Sequence, residues 1–194
     1  GTHVAGICSG SGANSNGKYR GIAPESNIVM IKALDFEGKG TASDVLTGIQ
    51  WVADNYKKYN IRILNMSIGA GIANTKDPLV RAAEILWDMG IVVVAAAGNN
   101  GPQKGTISSP GISKKIITVG SVDDINVPEN DIGKSYSGRG PTKECVIKPD
   151  VVAPGTNIIS CLCEDNKNNN YYKSLSGTSM STPIVSGAIA LLLE

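Results

Sequence analysis

The chain has 194 residues, with 18 Lys+Arg against 17 Asp+Glu and a net charge of +1. It lacks the basic excess of a nucleic-acid binder, and no window of about 18 apolar residues offers a membrane span. One histidine, His3, excludes any site built on two, and Cys8, Cys145, Cys161 and Cys163 are too few for a disulfide scaffold. Ser26 to Leu34 (SNIVMIKAL) reads as a short buried strand. Gly38-Lys39-Gly40 breaks the pattern. Thr41 to Tyr59 has apolar residues at helical spacing, with Thr41 or Ser43 as cap. Ile61 to Gly69 reads as a second strand. Asp77-Pro78 opens a helix, Asp as N-cap and Pro in the first turn, and Gly90 stops it.

Ile91 to Gly98 (IVVVAAAG) is an unbroken apolar run, expected of a strand covered on both faces. Lys115 to Val122 and Asn157 to Cys163 read as further strands. Gly133 to Lys143 is a loop and Asn166 to Asn170 a polar turn. Thr178 to Glu194 reads as a buried helix. The alternation predicts one α/β domain over residues 1–194, with a mainly parallel sheet between helices. The cysteines are expected to be buried free thiols. That, with no signal-peptide pattern in GTHVAGICSG, points to a cytoplasmic, bacterial-type setting.

Several motifs fail. Gly12 to Lys18 has P-loop spacing, but Tyr19 stands where a Mg²⁺-binding hydroxyl belongs. Gly10-x-Gly12 lacks the third glycine of a dinucleotide fingerprint, since Ser15 stands there. Ser181 replaces the last glycine of a G-x-S-x-G elbow, and no histidine follows. The sequon Asn65-Met66-Ser67 lies in an apolar strand.

Two motifs hold. Ser179, in SGTSMSTP (Ser176 to Pro183), sits where a loop turns into the last helix. A serine there can be a cap or a nucleophile favoured by the helix end. Asn99, in AAAGN (Ala95 to Asn99), places a carboxamide at the C-terminal edge of the sheet, where open α/β sheets bind ligands. A carboxamide N–H can donate to an oxyanion.

With GTHVAG (Gly1 to Gly6), LNMSIG (Leu64 to Gly69), RGIAP (Arg20 to Pro24) and KPDVVAPG (Lys148 to Gly155), these segments resemble the subtilisin-like serine proteases, the subtilase family. The wording of SNGKYRGIAP, DPLVRAAE and SSPGISKKIITVG is similar to the AprX-type bacterial branch, whose members are often intracellular. The resemblance covers the whole chain. It implies a three-layer α/β/α subtilisin-like fold, incomplete at its N-terminal side. It implies that Ser179 is the nucleophile of a serine endopeptidase, with Asn99 and the Ser179 backbone N–H as oxyanion donors. Ser67-Ile68-Gly69 and Gly38-Lys39-Gly40 would flank an extended peptide or protein substrate. Ala96-Ala97-Gly98 would line the pocket for the residue before the scissile bond, a roomy apolar pocket by its small walls.

The family's catalytic histidine would stand immediately before Gly1, and its catalytic aspartate further upstream. His3 matches the second, structural histidine of the motif. On a helix it lies about 300° and about 4.5 Å from the base position, so it is not expected to replace the base. The chain is therefore expected to be inactive alone and to need a missing N-terminal segment or propeptide. The alternatives are a pseudoprotease or peptide-binding module using the same cleft, and an assembly fragment that exposes apolar surface where strands are missing. No cofactor is expected. For calcium, the Gly10 to Lys18 loop has no carboxylate. The acidic loop Asp123, Asp124, Glu129, Asn130 and Asp131 is the better candidate, though most such loops are solvated turns.

Overall fold

The computed structural model describes residues 1–71, 76–122, 135–165 and 170–194. The elements run in the order α1 (Thr2–Ser9), α2 (Ala42–Tyr59), β1 (Ile63–Met66), α3 (Pro78–Asp88), β2 (Val92–Ala96), β3 (Ile117–Ser121), β4 (Val151–Ala153), β5 (Ile158–Asp165), β6 (Asn170–Leu175) and α4 (Thr178–Leu192). Strands β1 to β4 form a sheet in that order, and every pairing in it is parallel. β5 and β6 make a separate antiparallel pair.

Local chemistry sets the helix starts. Thr41 Oγ1 accepts the Asp44 N–H while Asp44 Oδ2 accepts the Thr41 N–H, a reciprocal capping box on α2. Asp77 Oδ1 accepts the Leu79 N–H at 2.9 Å, and Pro78 fills the first position of α3. Gly90, at φ +90, ends the segment.

The side-chain alternation of β2 divides the core into two. Val93 and Ala95 pack with Val45, Ile49 and Val52 of α2 and Leu79, Ala83 and Leu86 of α3. Val94 joins Val119 and Ala153 against Ile184, Val185 and Ile189 of α4. Successive residues of a strand face opposite sides, so this sheet is covered on both faces, as the apolar run predicted. The result is the three-layer α/β arrangement read from the sequence.

One expected strand differs. Ser26–Leu34 pairs with no strand among the described residues. Ile31, Ala33 and Leu34 pack on the α2–α3 core, but Ile28, Val29 and Met30 are 46%, 44% and 56% exposed. The apolar run is present, but a strand also needs a ladder partner, and here it has none. β1 is correspondingly an edge of the sheet.

Other differences are smaller. β4 and β6 are strands beyond those the sequence pattern predicts. β4 is three residues long, and β6 (NYYKSL) sets polar residues on both sides of its adjacent tyrosines. All four cysteines are free, yet Cys145 and Cys163 are exposed rather than buried. The Asn166–Asn170 turn lies outside the described residues, except that Asn170 begins β6. No described helix is long and apolar enough to cross a membrane.

Candidate active site

β2 ends at Ala96, and the chain turns at Gly98, whose φ is +91. That left-handed conformation suits glycine, and a Cβ there would collide with Ser108 Oγ. The turn carries Asn99 onto the first turn of α4. The Thr178 N–H and the Thr178 hydroxyl both donate to Asn99 Oδ1, each at 3.0 Å. Thr178 Oγ1 also accepts the Gly98 N–H at 3.1 Å. Thr178 is fully buried and Asn99 is exposed. With Oδ1 committed twice to Thr178, the donor Nδ2 is the end left for a ligand.

Gly177 precedes α4 at φ +147, and a Cβ on it would sit 3.1 Å from Asn99 Nδ2. This glycine therefore makes room for the carboxamide. Ser179 follows as the second residue of α4. Its N–H belongs to the first-turn donors that a helix cannot satisfy internally. Its hydroxyl donates to the Ser67 carbonyl at 3.1 Å. Ser67 is fixed in turn by Asn65, whose Nδ2 donates to Ser67 Oγ and whose Oδ1 accepts from Ser186 of α4, both at 2.9 Å. Asn65 is thus a half-buried structural residue.

A cavity of about 310 Å³ opens beside Ser179, lined by Ile68, Gly69, Ala96, Gly98, Asn99 and Thr178 with Ala70, Gly71, Asn100 and Ser108. Of the expected site residues, the structure brings Ile68, Gly69, Ala96, Gly98, Asn99 and Ser179 together here. Ala97 is not among them. It is fully buried in a small cluster with Val80, Ile107 and Ile112, because alternation turns it away. Lys39 and Gly40 line a different, open groove with Lys32, Leu34 and Asp44. Gly38 (φ +77) turns the loop between the Asp35 N–H and the Lys39 carbonyl, bonded at 2.8 Å.

The pocket is also less apolar than its small walls suggest. Ser108 and Asn100 present a hydroxyl and a carboxamide, joined by an Asn100 Nδ2 to Ser108 Oγ bond of 3.2 Å. Ser108 opens the SSPGISKKIITVG segment, which resembles the family but carries no chemical signal of its own, and Asn100 directly follows the AAAGN motif. No charged residue lines this cavity among the described residues.

No imidazole reaches Ser179. The Nε2–H of His3 is shared between the carbonyls of Ile158 (3.1 Å) and Lys173 (2.9 Å), and both partners are acceptors, so Nε2 carries the proton. His3 ties α1 to the β5–β6 pair, a structural role. Among the described residues no group of three or more His, Cys, Asp or Glu could hold a metal ion, and the acidic loop at 123–131 lies outside them.

The full chain, residues 1–194, matches the family model described as the subtilase family. It is 45% identical to the serine protease AprX of Bacillus subtilis (strain 168), over all of this chain and 48% of that protein. It is 37% identical to subtilisin DY of Bacillus licheniformis, over all of this chain and 63% of that protein. Among solved structures it is similar to sphericase, with a TM-score of 0.79 and 31% identity over 98% of this chain and 61% of that one. A cold-adapted subtilisin-like serine proteinase gives a TM-score of 0.74 at 35% identity, over 99% of this chain and 60% of that one. The chain thus spans between about half and just under two thirds of these relatives.

Proposed function

The chain belongs to the subtilase family, and on that premise we propose that it carries the acylating half of a serine endopeptidase site. The observation that supports this most is Ser179 at the head of α4 beside an Asn99 whose carboxamide is oriented by Thr178. In the proposed reaction, Ser179 Oγ attacks the scissile carbonyl carbon. The C–N bond breaks as the acyl-enzyme forms, the amine leaves with a proton, and water releases the acid product. Asn99 Nδ2–H and the Ser179 N–H would donate to the oxyanion, where two fixed donors and a helix N-terminus favour negative charge. Substrate backbone would run beside Ser67-Ile68-Gly69 and, on its other side, Gly38-Lys39-Gly40, as an added strand.

The attack needs a general base within hydrogen-bond reach of the serine, and His3, the sole histidine, is bonded elsewhere. The proposed partner is an N-terminal segment bearing the catalytic Asp and His. The free edge of β1 and the exposed Ile28, Val29 and Met30 suit an added apolar strand. Without that segment the proposed state is inactive.

The test is hydrolysis of a denatured protein substrate by the chain, alone and with the Asp- and His-bearing segment of a subtilase relative fused ahead of Gly1. The reading expects activity only in the fusion, and none in its Ser179→Ala variant. Peptide binding without hydrolysis by a folded fusion would favour a binding module instead.

A further inference from the structure

β5 carries Cys161 and Cys163, both free thiols. Cys161 pairs with Tyr172 and Asp165 with Asn170, so Leu162, Cys163 and Glu164 stand opposite Tyr171 alone. That irregularity adds an even number of residues to β5, and a strand's side chains alternate with period two. Cys161 and Cys163 therefore share one face. The face meets α1 at one end, where a Cβ on Gly6 would lie 2.8 Å from Cys161 Sγ. Cys161 is half-buried there, whereas Cys163 is exposed. One sulfur is thus held by the fold and the other is open to solvent, which gives a small ion its way in.

We infer that Cys161 and Cys163 form a two-coordinate site for one soft, singly charged ion of the copper(I) class. Thiolate sulfur selects soft ions such as Cu(I), while carboxylate and carbonyl oxygens suit Mg²⁺ and Ca²⁺. A structural Zn²⁺ takes four ligands, and among the described residues no group of three or more His, Cys, Asp or Glu comes together. The spacing also suits an ion better than a disulfide. Residues two apart in a strand stand about 6.6 Å apart, wider than the roughly 5.5–6 Å most common between disulfide-bonded Cα atoms. Two in-line metal–sulfur bonds of about 2.3 Å each bridge parallel side chains on that spacing. On binding, each thiol releases its proton to solvent and each sulfur donates an electron pair to the ion. No electron is transferred, and the product is a singly negative dithiolate complex. The hairpin bearing this site continues from β6 through Ser176, whose hydroxyl accepts the Asn157 N–H at 2.9 Å, into the Ser179 turn. The inference itself stands apart from the acyl-transfer reading.

The test is a competition for copper. Cu(I) held by bathocuproine disulfonate is titrated anaerobically with the reduced chain, and the fall in the chelator complex's visible absorbance measures the copper transferred. One Cu(I) per monomeric chain is expected, with the Tyr172 and Lys173 amide resonances of the ¹⁵N-labelled chain shifting. Cys163 is exposed, so Cys163→Ser removes a ligand without touching the core, and Cys161→Ala removes the other. Each should weaken copper binding at least about a hundredfold, since even the loss of an outer partner costs up to that much. A chain with both Cys8→Ser and Cys145→Ser should bind as wild type, and Zn²⁺ should not displace the copper. Wild-type affinity in Cys163→Ser overturns the site, as does loss of binding in the Cys8→Ser, Cys145→Ser chain. Uptake only by a dimer bridged through exposed thiols, or displacement of the copper by equimolar Zn²⁺, overturns it as well.

Discussion

Thr178 and Asn99 are joined twice, the Thr178 N–H and hydroxyl both donating to the one oxygen Asn99 Oδ1 at 3.0 Å. They lie 79 positions apart in sequence. The pair fixes which end of the carboxamide faces the cavity, and it ties the β2 turn to the start of α4. Thr178→Val removes the hydroxyl that also accepts the buried Gly98 N–H, and an unsatisfied buried donor costs about 1–3 kcal/mol. Thr178→Ser keeps all three bonds. Chemical denaturation should therefore find Val destabilised by about that amount and Ser close to wild type, with the Asn99 side-chain resonances shifted only in Val.

Asn99→Ala tests the oxyanion donor. In the fusion carrying the Asp- and His-bearing segment, kcat is expected to fall about 10²–10³-fold, the magnitude known for the corresponding subtilisin donor and borrowed from it here. Asn99→Ala also removes the acceptor of the buried Thr178 N–H and hydroxyl, so kcat is compared on a fusion shown to be folded. A kcat within a few-fold of wild type would remove Asn99 from the chemistry.

A second paired set holds β3 to β4. Lys148 Nζ, itself buried, donates to the Ile116 carbonyl at 2.9 Å and to Asp150 Oδ2 at 2.6 Å. The same carboxylate oxygen accepts the Thr118 N–H at 2.7 Å. Asp150→Ala leaves a buried ammonium with one partner fewer. The Asp150 side chain is 40% exposed, so water relieves part of the loss. Destabilisation of about 2 kcal/mol is expected in urea unfolding.

The capping box of α2 gives a pH dependence. The Thr41 hydroxyl and then the Thr41 backbone N–H, both bonded to the Asp44 carboxylate, hold the Asp44 pKa below the ordinary aspartate value. A folded-state pKa below the unfolded one stabilises the fold fully above the unfolded value. That contribution is lost as pH falls through the folded one. An NMR titration of Asp44 should show a depressed midpoint that returns toward the ordinary value in Thr41→Ala. The same variant should lose about 1 kcal/mol of stability at neutral pH.

What was legible in the sequence was local or strongly periodic. The Asp77-Pro78 start and Gly90 stop of α3 are written in adjacent residues. The β2 run could be read because both faces of that strand are covered. Ser26–Leu34 shows where this reasoning stops, since apolar composition proposes a strand but only a neighbouring backbone makes one. β4 was too short to stand out. The expected site residues Ser179 and Asn99 were visible as motifs. Their orientation by Thr178, the turning away of Ala97, and the meeting of Ser108 with Gly69 and Gly98 are long-range contacts that no periodicity encodes.

The most direct measurement is labelling by a fluorophosphonate probe, read by intact mass and located by peptide mapping. The account predicts no adduct on the chain alone. It predicts a single adduct at Ser179 once the Asp- and His-bearing segment is fused ahead of Gly1. A folded fusion that takes no label, or takes it at another serine, would contradict the assignment of Ser179. Labelling of the unaided chain at Ser179 would contradict its predicted inactivity.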